Sequence, residues 1–261
     1  MIGTNQIKPP DEITPEMIER VKKRNQQAIA NWPKILEAKK KAEIKTNSLW
    51  SGDREISFRF KDWVPAKQKD HDLAFEVGKR AFVLAKLMEQ KPINVVLTGN
   101  RGTGKTSLAL AMVGKVATET GQSWIFINTQ ELHGLISKQF DYPEIKQRLN
   151  QIQGAIVGVK SGDGSWYRKP ADILVLDDFG TEGGMNGTRS VHKTMQEWLY
   201  QVSNARIDLS SNQLTGSTII TTNLSSNDLM DMYDTKLISR LVTKNPEQTV
   251  DFNNLEDIRN G

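Results

Sequence analysis

The stretch NVVLTGNRGTGKTSLALA, from Asn94 to Ala111, decides the fold of this 261-residue chain. Gly99, Asn100, Arg101, Gly102, Thr103, Gly104, Lys105 and Thr106 fit G-x-x-x-x-G-K-[ST], a pattern with the mechanics of a phosphate cradle. Val95, Val96 and Leu97 read as a buried parallel strand that ends where the loop begins. The glycines let successive backbone N–H groups turn inward around anionic oxygens. Lys105 is expected to neutralise the β and γ phosphates of a nucleoside triphosphate, ATP or GTP, and the Thr106 hydroxyl to hold Mg²⁺. Ser107 to Lys115 reads as a helix whose positive end points at the same anion. A glycine-rich turn could match by chance, but a strand before it and a helix after it argue against that.

Two further strands repeat the logic. Ile173 to Asp177 is an apolar run followed by Asp178, so it places two acids at the carboxyl end of a parallel strand, where ligand chemistry is expected. Asp177 would complete the Mg²⁺ shell, and Asp178 would orient or deprotonate an attacking water. Ser217 to Thr222 is another apolar strand, and Asn223 at its end would offer an amide to the γ phosphate or the water. Between these lie a strand at Ser123–Asn128 and helical patterns at Gln130–Gln139, Pro143–Val157 and Ser190–Ser203. Short helices follow at Asn227–Tyr233 and Lys236–Val242. Strands alternating with helices indicate an α/β fold around a mostly parallel sheet.

Upstream, Thr14-Pro15-Glu16 is a helix start, with a hydroxyl cap, proline in the first turn and an acid near the dipole. That helix is expected to end near Asn31, with Pro33 interrupting it or restarting a second one. Lys34 to Lys45 is basic and helical, with Ile35, Leu36 and Ile44 its strong apolar residues, too few for a core of their own. It reads as a solvated charged helix or as a small partner-docking module. Thr46 to Asp53 reads as a linker, which sets residues 1–50 apart as an N-terminal helical module from a 51–261 nucleotide-binding domain. Phe58, Phe60 and Trp63 could line a base pocket or simply pack in the core. Asp70 to Gln90 reads as an amphipathic helix with Leu73, Val77, Ala81, Leu84 and Met88 near one face.

The four motifs GNRGTGKT, ILVLDDFG, IITTN and LISRLV occur in the order and at the spacings of AAA+ ATPases. Among these the sequence resembles the DnaC/DnaI-type helicase loaders and their relatives, the IstB transposition helpers, over roughly the last 200 residues. The resemblance implies a P-loop three-layer αβα fold with ATP and Mg²⁺ as ligands and head-to-tail self-association into a ring or spiral. It gives Asn223 the sensor-1 role and Arg240 that of an arginine finger acting on a neighbouring subunit's ATP. Arg259 would take the sensor-2 role. The partners it implies are a replicative DnaB-like helicase and single-stranded DNA. The alternatives are an IstB-like ATP-binding helper of a transposase and a nucleotide-gated adaptor with little hydrolysis. The sequence departs from the family pattern with Asp178, where most AAA+ proteins have glutamate, and in lacking the zinc-binding cysteines of DnaI-type loaders. An end at Gly261, just past Arg259, leaves no room for a duplex-reading module, which disfavours a DnaA-like initiator.

Composition narrows the classes. With no cysteine there are no disulfides or thiolate zinc sites, in keeping with a reducing cytoplasm. His71, His133 and His192 lack metal-ligand spacing, and no apolar run reaches membrane-spanning length. The N-terminus lacks a signal-peptide core. A net charge of +4 permits nucleic-acid contact without demanding it. Val159 to Lys169 mixes glycine with Trp166, Tyr167, Arg168 and Lys169, which suits either stacking on single-stranded bases or an ordinary surface loop with a hairpin turn.

Overall fold

The computed structural model describes residues 14–181 and 191–257. The chain divides into two compact units, one up to Lys40 and one from Lys41 onward.

Helix α1 (Pro15–Thr46), which provides the described part of the first unit and runs six residues beyond it, continues through Pro33, where the sequence predicted a break. An interior proline removes one hydrogen bond but stops a helix only if the flanking turns are weak. Here Ala28, Ala30, Leu36, Glu37 and Ala38 are good helix formers on either side. Up to Lys40 the helix is solvated, yet Ile18, Val21, Ile29, Trp32 and Leu36 recur at helical spacing along one exposed stripe.

The second unit holds α2 (His71–Gln90), β1 (Asn94–Thr98), α3 (Lys105–Thr120), β2 (Trp124–Asn128), α4 (Thr129–Lys138) and α5 (Pro143–Val157). It continues with β3 (Val159–Lys160), β4 (Trp166–Arg168), β5 (Ile173–Asp177), α6 (Lys193–Ala205), β6 (Ile207–Asp208) and β7 (Gln213–Leu214). The last elements are β8 (Ser217–Thr222), α7 (Ser226–Met232), α8 (Thr235–Leu241) and β9 (Thr249–Asp251).

Five strands form one sheet in the order β2-β5-β8-β1-β9, every neighbouring pair parallel. Alternation along the strands separates two cores. Val96, Ile125, Ile127, Leu174, Leu176 and Ile220 face α4 to α8. Val95, Leu97, Phe126, Ile173, Val175 and Ile219 face α2 and α3. Since side chains alternate across a strand, a sheet buried on both sides favours apolar residues at consecutive positions, as in β1, β2 and β5. The outcome is the expected three-layer αβα P-loop fold. Val77, Ala81, Leu84 and Met88 of α2 are buried as expected, and Leu73 is half-buried.

The stretch read as a linker is packed against this unit. Leu49 exchanges hydrogen bonds with the edge of β2, donating to Phe126 O at 2.7 Å and accepting from Asn128 N at 2.9 Å. Trp50 stacks on Phe126 with centroids 4.3 Å apart. Asn47 and Ser48 look like turn formers in sequence, but Ser48 Oγ caps the β2 edge by accepting from Phe126 N at 3.0 Å. Of the upstream aromatics, Phe58 and Phe60 pack on the α2–α3 core, whereas Trp63 reaches the glycine-rich loop.

Candidate functional site

The loop between β1 and α3 opens at the carboxyl edge of the sheet, where Gly99 N donates to Thr222 O at 3.2 Å. Gly104 caps α3 with φ 96°, a left-handed conformation that disfavours a side chain, and the Trp63 ring fills the space a Cβ would need. Trp63 is itself fixed, its indole N–H donating to Ala74 O at 2.9 Å and its ring edge-on to Phe252. Gly102, at φ 76°, lies against the Asp257 carboxylate. Thr103 is buried and closes the loop by donating to Asn100 O at 2.9 Å. Asn100 Nδ2 in turn donates to Asn253 O at 2.8 Å. Arg101 is exposed, and Ser107 is half-buried in the first turn of α3.

Lys105 is 6% exposed, and its ammonium donates to the carbonyls of Gly99 at 2.7 Å and Asn100 at 2.6 Å. The lysine is thus folded back into the loop it serves. One residue on, Thr106 Oγ1 donates to Asp177 Oδ1 at 2.7 Å, joining the loop to the end of β5. Asp177 also accepts from Thr221 Oγ1 at 2.7 Å and makes a long contact to Asn128 Nδ2 at 3.4 Å. Burial and the neighbouring Asp178 push the Asp177 carboxyl up, against the lowering effect of those three hydrogen bonds. Asp178 turns out of the strand at φ 55°, and its N–H donates to Thr221 Oγ1 at 2.9 Å. Thr129 and Thr181 both donate to the Asp178 carbonyl, fixing that turn from two sides.

Asn128 and Thr221 were missed by sequence reasoning. The Asn128 amide stands between the two acids, 3.4 Å from Asp177 and 3.5 Å from Asp178. The signal was available, since Asn128 closes SWIFIN as Asn223 follows IITT, both polar residues at the carboxyl end of a parallel strand. Recognising it needed the strand order, which makes β2 the neighbour of β5 and pairs Asn128 with Asp177.

Asn223 follows β8, half-buried, at the same edge of the sheet. Arg240 is not brought to this edge. Its carbonyl accepts from Asn94 Nδ2 at 2.7 Å, at the amino end of β1, whereas the loop follows the carboxyl end. Nor is its guanidinium simply exposed, because it donates to Asn204 and lies 5.4 Å from the Tyr200 ring centroid on α6. Arg259 lies outside the described residues.

The residues fit a triphosphate with a divalent cation. The glycine cradle tolerates close backbone approach, the lysine supplies charge, and a hydroxyl beside a carboxylate is a hard-oxygen donor pair of the kind Mg²⁺ takes. Among the described residues no group of three or more His, Cys, Asp or Glu could hold a metal on its own, and no helix is long and apolar enough to cross a membrane.

A family model described as "ATPase family associated with various cellular activities (AAA)" matches residues 95–246. No curated protein matches the chain. Among solved structures, the DnaC helicase loader is similar at 20% identity, with TM-score 0.47, over 67% of this chain and 89% of that one. DnaI is similar at 15% identity, TM-score 0.46, over 71% of this chain and 86% of that one. Domain III of the Thermotoga maritima replication initiation protein DnaA is similar at 18% identity, TM-score 0.46, over 74% and 65%.

Proposed function

Since the chain belongs to the AAA family of ATPases, we propose that it is an ATP-dependent loader that binds a replicative DnaB-like helicase and delivers it to single-stranded DNA in the cytoplasm. The observation that carries the nucleotide chemistry is the 2.7 Å link between Thr106 and Asp177 beside the buried Lys105. Mg²⁺, when bound with the nucleotide, supplies positive charge at the β and γ phosphates. Lys105 would exchange its loop carbonyls for phosphate oxygens, while Thr106 and Asp177 would hold the cation. Asp178 accepts a proton from the attacking water or orients it, and Asn223 donates its amide to the same water or to the γ phosphate. Asn128 restrains both carboxylates from the end of β2.

The loader reading is supported by the resemblance of the four motifs and by the stripe of Ile18, Val21, Ile29, Trp32 and Leu36 on α1. A stripe of that length and spacing suits docking in an apolar groove of another protein. The N-terminal docking module is accordingly the exposed part of α1, and the ATPase domain follows it. A chain truncated to begin at Lys41 should still bind ATP but no longer copurify with a replicative helicase. Full helicase affinity without α1 would move the docking surface to the ATPase unit, and copurification with a transposase in place of a helicase would favour the IstB-like alternative.

A further inference from the structure

The segment between α5 and β5 carries a second, smaller feature. β3 and β4 pair antiparallel as a two-stranded ribbon outside the main sheet. Its tip is a closed turn, in which Ser161 N donates to Ser165 O at 2.8 Å and Gly164 N to Ser161 O at 2.9 Å. Asp163, the one acid between Gly158 and Lys169, is engaged there by Ser165 N at 3.0 Å and Ser165 Oγ at 2.7 Å. The base is fixed as well. Arg168 pairs with Glu43, and Ala171 N donates to Ala155 O at 3.0 Å. Gly158 turns at φ 78° with the Trp166 ring lying where its side chain would be.

This ribbon holds large aromatic surface in solvent. Trp166 is 44% exposed and Tyr167 is 67% exposed. As consecutive strand residues they point to opposite faces, so each face of the ribbon carries one ring. Lys160 Nζ sits 5.0 Å from the Trp166 ring centroid, and Lys169 follows β4 directly. Neither ring belongs to either core or touches the nucleotide site described above. An apolar protein partner would be met by a continuous apolar patch, whereas here aromatics and cations are interleaved on a narrow strip. That pattern matches a chain of flat bases joined by negative phosphates.

We propose that the β3–β4 ribbon is a stacking surface around whose edge single-stranded nucleic acid passes, with one base against Tyr167 on one face, another against Trp166 on the other, and Lys160 and Lys169 beside phosphates. The proposal rests on the reading of single-stranded DNA as a partner and names the surface that meets it. Full-length protein with Mg²⁺ and a non-hydrolysable ATP analogue would be titrated onto fluorescein-labelled oligothymidine at several salt concentrations, followed by anisotropy. Tyr167→Ala should weaken binding at least about fivefold, the lower end of what one stacked base contributes. Its ATP turnover without DNA and its thermal unfolding should stay as in wild type. Lys160→Gln with Lys169→Gln should lower the slope of log K against log salt by about 1.4, some 0.7 for each phosphate contact. Trp166→Phe should keep the ring that packs on Gly158 and lose less affinity than Trp166→Ala. A parallel titration on oligouridine separates RNA from DNA as the source of the strand, and loss on either supports the platform. Wild-type affinity and salt slope in all these variants would overturn the ribbon while leaving DNA binding to another surface. Failure of wild type to bind either oligonucleotide would overturn the reading beneath it. Loss of helicase copurification by Tyr167→Ala, with oligothymidine binding intact, would overturn the proposal in favour of a protein-docking ribbon.

Discussion

Asp178 is held by its backbone while its side chain is left half-buried beside Asn128. Its N–H donates to Thr221, its carbonyl accepts from Thr129 and Thr181, and its φ of 55° turns it away from β5. Asp177, by contrast, is committed through its side chain to Thr106 and Thr221. That difference suits the proposed roles, Asp177 for the cation and Asp178 for the water. Asp178→Asn should keep Mg²⁺–ATP affinity within about twofold while slowing hydrolysis at least a hundredfold, the lower end of what a positioned base contributes. Equal turnover would remove Asp178 from the chemistry. Asp257 invites a prediction of opposite sign. Its carboxylate lies against Gly102 in the expected phosphate cradle, so it repels the phosphates that the cradle attracts. Asp257→Asn should tighten ATP binding by about two- to fivefold at low salt, with the gain shrinking as salt screens an exposed charge. Unchanged affinity by equilibrium dialysis would show that the carboxylate moves aside without resisting.

At the scale of elements, the sheet is tied at both edges, and its amino edge depends on one buried cation. Arg206, fully buried, donates to the carbonyls of Ala171 and Asp172 before β5 and of Ser217 at the start of β8. Burial pushes its guanidinium down to about 10, with the charge of Asp172 opposing. Gly216 approaches it so closely that a Cβ there would overlap the guanidinium. Removing the side chain leaves those carbonyls without this donor inside the fold, so Arg206→Ala should destabilise by about 2–4 kcal/mol. In urea the midpoint should fall with the slope unchanged, and an unaltered midpoint would mean that water replaces the guanidinium. Nothing in the sequence announced this residue, which reads as an ordinary arginine at a helix end. The strands that were legible, β1, β2, β5 and β8, are five- or six-residue elements buried along most of their length. β9 was not, because Thr249–Asp251 is three residues long with one of them fully buried, and its pairing with β1 is a tertiary fact. The packing of Asn47–Trp50 on β2 was hidden in the same way, since turn-forming residues look alike whether they cross solvent or cap a sheet edge.

For the whole molecule, the question is how Arg240 could act as the arginine finger that the sequence resemblance implies when its own chain keeps it from the loop. Lys105, Thr106, Asp177 and Asp178 could be proposed from sequence because each sits at a loop or strand end whose pattern is local. Arg240 is different, since the role proposed for it depends on a second copy. Its helix buries Leu237, Ile238 and Leu241, as the sequence pattern predicts, and its carbonyl is anchored at the amino end of β1. β1 rises about 13 Å over its four steps before the loop begins, so the guanidinium does not serve the loop of its own subunit. An arginine finger must then reach a neighbour's γ phosphate, and to do so it leaves Asn204 and the Tyr200 ring. Arg240→Ala should leave ATP binding by monomers within about twofold while lowering turnover of the assembly roughly a thousandfold. Lys105→Ala should instead weaken nucleotide binding at least tenfold, through loss of a charge-assisted contact. When the two inactive variants are mixed, some interfaces pair the intact loop of the Arg240→Ala chain with the intact arginine of the Lys105→Ala chain. Turnover should therefore return at intermediate mixing ratios and vanish at either extreme. Co-assembly without recovery at any ratio would rule against action across the interface, and normal turnover by Arg240→Ala alone would remove the arginine from the mechanism.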